Sequence, residues 1–192
     1  VVVDCVLDGS WFGSSGRLGF SVLVQHPVNK SWTEYRHQIT AHEHGYVAPN
    51  SFTAELLGSL YALHICRVLF PGCCPRLLLD CDGVKTEARS LCKSMQSNFA
   101  GCNNPTAQRA IYLETISSHD GQRVMLPSYV WIPAHCSPER FAARLGAHND
   151  HLLCFHAQNE LCDAGAKAAA LMAKGTTTVV GPLSMHPHHH RL

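Results

Sequence analysis

The first forty residues hold three apolar, β-branched runs separated by turns too short for a helix, and few folds accommodate that arrangement. Val1 to Leu7 is apolar and ends in Asp8-Gly9-Ser10. A Gly/Ser turn at Gly13 to Gly16 leads into a second run, Leu18 to Gln25, and Trp32 to Ile39 alternates as a third. Strands joined by such short turns pair antiparallel, because a parallel neighbour needs a crossover of roughly a dozen residues. A three-stranded meander is therefore expected.

The period then changes. Pro49-Asn50-Ser51 opens a helix that Ser51 can cap, with Leu56, Leu57, Leu60, Leu63, Ile65 and Val68 on its apolar face and Pro71-Gly72 as its stop. Arg76 to Leu79 reads as a buried strand ending in Asp80, and helices are expected over Gly83 to Met95 and Thr106 to Ser117. Tyr129 to Ile132 reads as a last strand, and Glu160 to Lys174 as an Ala-rich helix. This order, β-β-β-α-β-α-α-β-α, predicts an α/β fold: a mixed five-stranded sheet, three antiparallel strands then parallel additions, flanked by helices. From Gly175 the Thr run and the prolines up to His190 read as a flexible tail, residues 175–192.

At 192 residues the chain suits one compact domain plus an extension. Hydrophobic residues at 46% against charged residues at 15% exclude a disordered chain. Lys plus Arg is 15 and Asp plus Glu is 14, a net charge of +1, which excludes a protein that grips nucleic acid by charge alone. The 10 cysteines contain no CxxC, and several lie inside apolar runs, as in Leu63-His64-Ile65-Cys66. They read as reduced core thiols of an intracellular protein, nucleus or cytoplasm undetermined. No stretch approaches the roughly 18 apolar residues of a membrane span. The opening Val-Val-Val is no signal peptide, and a start without Met is expected of a piece of a longer protein.

Four carboxylates stand where elements begin or end. Asp8 terminates the first strand, Glu55 lies one turn into the first helix, Asp80 terminates the fourth strand, and Asp163 lies near the start of the last helix. In a mixed sheet such positions converge on one edge, where four acids repel one another unless a cation neutralises them. Hard divalent ions take oxygen ligands and keep several waters. Two such ions about 4 Å apart can activate a water and stabilise the leaving oxygen of a phosphodiester.

Five short blocks, in order, resemble a known family. Asp8-Gly9-Ser10 with the Gly-rich turn and Gly19 is similar to the opening of type 1 ribonuclease H domains. Thr53-Ala54-Glu55-Leu56 resembles that family's helix carrying the catalytic Glu, and Leu77-Leu78-Leu79-Asp80-Cys81-Asp82-Gly83-Val84 resembles its strand ending in Asp-Ser-Gln. Trp131-Ile132-Pro133-Ala134-His135 is similar to the last strand and its catalytic-loop His, and Asn159-Glu160-Leu161-Cys162-Asp163 matches the Asn-Glu-x-x-Asp start of the final helix. The blocks run from Val1 to about Ala170 and look closest to the domains carried by retroelement reverse transcriptases.

The resemblance implies a ribonuclease H-like three-layer fold over residues 1–174 and cleavage of the RNA strand of an RNA–DNA hybrid, leaving a 3′-hydroxyl and a 5′-phosphate. Asp8, Glu55, Asp80 and Asp163 would hold two Mg²⁺ ions, with Mn²⁺ as a possible substitute, and His135 would move protons or assist product release. Gly9 and Ser10 through their backbone, with Asn50, Ser51 and Asn159, are the candidate contacts to the hybrid's 2′-hydroxyls. A covalently linked reverse transcriptase domain is the implied partner.

Several features depart from the family's pattern. Asp82 competes with Asp80, and Asp4 with Asp8; Asp80 directly follows the apolar run, and Asp4 lacks the Gly-Ser that follows Asp8. Ser51 and Phe52 stand where family members often carry Asn. The interval from His135 to Asn159 is several times the usual one, so residues 136–158 read as an insertion in the catalytic loop, a polar stretch in a His-rich chain. It holds His148, His151, Cys154 and His156, whose spacing could suit Zn²⁺, and His148 or His151 could stand in for His135. Between Arg89 and Arg109 only Lys93 is basic, so no basic handle is evident and the isolated piece is expected to bind weakly. A catalytically inactive structural or nucleic-acid-binding module of the same fold is the rival reading. Another nuclease of the broad fold is disfavoured by the Asn-Glu-x-x-Asp helix.

Overall fold

The structure is a computed structural model that describes residues 1–43, 49–89, 105–116 and 127–183. Three strands form the expected meander: β1 (Val2–Phe12), β2 (Arg17–Gln25) and β3 (Trp32–Ile39), paired antiparallel in sequence. After helix α1 (Ser51–Leu69), strand β4 (Cys74–Leu79) adds parallel to β1. Helices α2 (Asp82–Arg89) and α3 (Pro105–Ile116) follow, and β5 (Ser128–Trp131) adds parallel to β4. Helix α4 (Pro138–Leu145), a 3₁₀ segment (Ala147–Phe155) and helix α5 (His156–Leu171) lead to β6 (Thr177–Leu183).

The sheet order is β5-β4-β1-β2-β3-β6, so the mixed sheet has six strands where five were expected. The extra one comes from the segment expected to be a flexible tail. Its Thr and Val residues pair antiparallel with β3, from His37↔Thr177 to Trp32↔Leu183, and so cover an edge of backbone donors and acceptors that would otherwise stay open. The His-containing remainder, 184–192, lies outside the described residues, as do the part of the expected Gly83–Met95 helix beyond Arg89 and most of the stretch sought for a basic handle.

Alternation on β1 splits the core into two layers, one on each face of the sheet. Val3, Cys5 and Leu7 pack with Leu56, Leu57 and Leu63 of α1 and Ile111 of α3. Val6 packs on the opposite face with Leu78, Phe141, Leu145, Leu152, Phe155 and Cys162. The insertion expected as a polar loop is therefore mostly helical. Its Phe141, Leu145, Leu152 and Phe155 give it a narrow apolar stripe that docks on the sheet.

Three further expectations are corrected. The cap of α1 is Asn50, whose side chain accepts from the Thr53 amide at 2.8 Å, and not Ser51, which is the first helical residue. By length and composition α1 could cross a membrane, although no such stretch was expected; in the fold it is a core helix, with Glu55 and Ser59 among its buried residues. Among the described cysteines, Cys5, Cys66 and Cys162 are buried free thiols, while Cys154 is exposed and so is no core residue.

Candidate active site

Backbone register sets the first pair of acids side by side. The parallel ladder between β1 and β4 runs from Val2↔Cys74 to Val6↔Leu78. Continued two residues, it brings Asp8 level with Asp80. Glu55 arrives from α1, which crosses β1 where Gly9 offers no side chain: a Cβ there would lie 2.7 Å from the Ala54 carbonyl carbon. Ligand oxygens of Asp8, Glu55 and Asp80 thus lie within 4.8 Å of one another, the one such group of three or more His, Cys, Asp or Glu among the described residues.

Burial makes this crowding expensive. Asp8 and Glu55 are each 6% exposed, and Glu55 Oε2 is buried with no hydrogen-bond partner. Burial, then the nearby Asp80 charge, pushes the Asp8 carboxyl up to about 7, although the Gly9 amide opposes this by donating to Asp8 Oδ1 at 2.7 Å. Burial together with Asp80 and Asp8 pushes Glu55 up to about 9, against a stabilising backbone bond from Cys81. Asp80 is raised mainly by burial and by Asp163, while His135 pulls it down. Two buried carboxyls and a half-buried third, each resisting ionisation and one with an orphaned oxygen, form a donor set suited to a hard divalent cation.

Asp163 is a neighbour of this trio and not a member of it. Its Oδ2 accepts from Lys167 Nζ at 2.6 Å, one helical turn along α5, and lies 4.0 Å from His135 Nδ1. Its charge is nevertheless felt at both Asp8 and Asp80. His135 is exposed and holds a left-handed backbone, φ 48°.

Both competing acids are settled by their partners. Asp4 is paired with the Arg76 guanidinium at 2.5 Å, low on the β1–β4 ladder. Asp82 is exposed in the first turn of α2, where it pairs with Lys85. Neither belongs to the trio.

The expected hybrid contacts fare unevenly. Ser51 is exposed, and Ser10 is half-buried opposite Gly19. The Gly9 amide is occupied by Asp8, and Asn50 Oδ1 by its capping bond. Asn159 is 3% exposed and donates from Nδ2 to the Pro133 carbonyl at 3.2 Å, so it secures the His135 loop from within. In the insertion, His148, His151 and Cys154 are exposed and form no three-ligand group with His156, whose Nε2 instead donates to the Cys136 carbonyl at 2.7 Å.

Sequence reasoning overlooked two supports. Trp131 Nε1 donates to the Asp80 carbonyl at 2.9 Å, and Lys167 neutralises Asp163. The i, i+4 spacing of Asp163 and Lys167 was a readable signal for the second; nothing local announces the first.

No protein-family model matches the sequence, and no curated protein matches it significantly. Solved structures do match the fold. RNase H1 from the halophilic archaeon Halobacterium salinarum is 14% identical with a TM-score of 0.56, covering 88% of this chain and 97% of its own. LC9-RNase H1, described as a type 1 RNase H with the type 2 active-site motif, is 16% identical at TM-score 0.56, covering 88% and 72%. The PFV RNase H domain is 11% identical at TM-score 0.53, covering 88% and 93%. At these identities the likeness establishes the fold.

Proposed function

We propose that this domain, which has the ribonuclease H fold, is a metal-dependent endonuclease for the RNA strand of RNA–DNA hybrids and part of an intracellular retroelement polyprotein that also carries a reverse transcriptase. The observation that carries this reading is the convergence of Asp8 from β1, Glu55 from α1 and Asp80 from the end of β4 into one carboxylate group, two of whose members are buried.

The residues fit the cations that the fold family implies. Asp8, Glu55 and Asp80, with Asp163 beside them, would hold two divalent ions, Mg²⁺ with Mn²⁺ as substitute, and Glu55 Oε2 would gain its missing partner. Bound there, such ions supply an activated water and charge neutralisation at the phosphodiester. The protein's own residues do the rest. Buried carboxylates fixed by a sheet and a core helix need little reorganisation during reaction. His135, exposed at the rim and 4.0 Å from Asp163, would move a proton at the leaving oxygen through its imidazole. Ser10, Ser51 and the adjoining backbone are the groups available to sense 2′-hydroxyls.

Cleavage of a hybrid with a 5′-labelled RNA strand tests the reading. In Mg²⁺ the wild-type chain is expected to yield fragments ending in a 3′-hydroxyl, and Asp8→Asn to lose at least roughly 10²-fold in rate. Undiminished cleavage by Asp8→Asn overturns the site. Absence of cleavage by wild type in either metal, with hybrid binding retained, favours the inactive module.

A further inference from the structure

The loop that carries His135 is gripped from the inserted segment, and this grip has no place in the chemistry above. His135 sits at φ 48°, a left-handed conformation that costs a non-glycine residue roughly 1–3 kcal/mol and persists only where its surroundings over-determine it. The surroundings do so on both sides. Before His135, the Pro133 carbonyl accepts from Asn159 and the Ala134 carbonyl from Arg144 Nη1 at 3.4 Å. After it, the Cys136 carbonyl accepts from His156 Nε2 at 2.7 Å.

We propose that Arg144 of α4 and His156, the first residue of α5, both within the insertion of residues 136–158, are positioning residues that hold His135 against the acid site. The proposal rests on the nuclease reading for its kinetic consequence, but its structural content stands on contacts alone. A carbonyl only accepts, so His156 presents a protonated Nε2 to Cys136. The His156 ring also meets Phe141 edge-on, with centroids 5.1 Å apart, and Phe141 is 1% exposed in the layer formed with Leu145, Leu152 and Phe155. The anchor is therefore core, while the residue it holds is at the surface. Arg144 ties the same loop to the strand end: its guanidinium lies 5.6 Å from the Trp131 ring centroid, and Trp131 bonds the Asp80 carbonyl. Through these contacts the insertion sets how far His135 stands from Asp80 and Asp163.

Such residues act on turnover and leave substrate capture alone. His156→Leu keeps the packing volume and removes the donor; His156→Gln keeps an N–H at similar reach. In the full chain, His156→Leu is expected to lower kcat roughly tenfold, a part of the roughly 10²–10⁴-fold that an acid–base group supplies, with KM within twofold. Amide hydrogen exchange across residues 134–136 is expected to accelerate, and His156→Gln to restore both readouts. Arg144→Ala is expected to show the same pattern more weakly. Unchanged exchange and kcat in His156→Leu, or equal impairment in the Leu and Gln variants, overturns the proposal. If His156→Leu fails to fold, Gln near wild type with faster exchange in Arg144→Ala supports it, and wild-type exchange in Arg144→Ala overturns it. If wild type cleaves no hybrid, the nuclease reading falls, and the exchange comparison alone still decides whether the insertion holds the loop.

Discussion

Gly9 and Glu55 meet backbone to backbone: a methyl group on Gly9 would overlap the Glu55 amide nitrogen and lie 2.8 Å from the Ala54 Cβ. The glycine after the first acid is thus what lets the helix bearing the second acid approach the strand. The Glu55 nitrogen is helix backbone and the Ala54 methyl is fixed to it, so neither can swing aside. Gly9→Ala is expected to destabilise the fold by about 1–3 kcal/mol, the usual cost of overpacking, and to lower cleavage by displacing Glu55. Urea unfolding together with the hybrid assay checks both effects.

Asp80 and Asp82 are two residues apart yet differ in every physical respect. Asp80 is half-buried and belongs to the carboxylate trio; Asp82 is exposed and paired with Lys85 on α2. Asp80→Asn should therefore abolish cleavage, by roughly 10²-fold or more, whereas Asp82→Asn should stay within about twofold, as expected for an exposed ion pair. Steady-state rates of the two variants on one hybrid substrate distinguish them.

The raised carboxyls make the metal-free fold sensitive to pH. A carboxyl with a raised folded-state pKa holds its proton more tightly folded than unfolded. It therefore favours folding at low pH, and that contribution is lost as pH climbs through the folded value. For Asp8 the window runs from its ordinary 3.8 to about 7, and for Glu55 from 4.5 to about 9. In EDTA, Asp8→Asn should melt several degrees above wild type at pH 8, and the gap should shrink as pH falls from about 7 toward 4. Calorimetric Tm values for the two proteins across that range provide the check, and their difference removes the shared histidine titration.

Much of this architecture can be read from the chain because its signals are local. β1 to β3 announce themselves by alternation and Gly/Ser turns, and Asp8 and Asp80 by their places at the ends of apolar runs. β6 carries no such signal: its Thr and Val residues are mostly exposed, Gly181-Pro182 reads as a breaker, and its pairing with β3 spans most of the chain. The insertion looks polar because its apolar stripe is only four residues wide. Asn159 illustrates the limit at the site, since no local pattern tells whether a polar residue in the first turn of a helix faces substrate or holds a loop carbonyl. The proximity of residues 8, 55 and 80 is likewise a product of long-range packing, inferable from topology but measurable only in three dimensions.

The cation site itself is tested most directly by the thermal shift that Mg²⁺ induces at pH 8 in wild type and in Glu55→Gln. A ligand at tenfold excess over its dissociation constant adds about 1.4 kcal/mol, or about 3–5 °C for a chain of this size. Wild type should show a saturable rise of that order and Glu55→Gln little or none. An equal rise in both proteins, or none in wild type, would contradict a divalent site built on Asp8, Glu55 and Asp80.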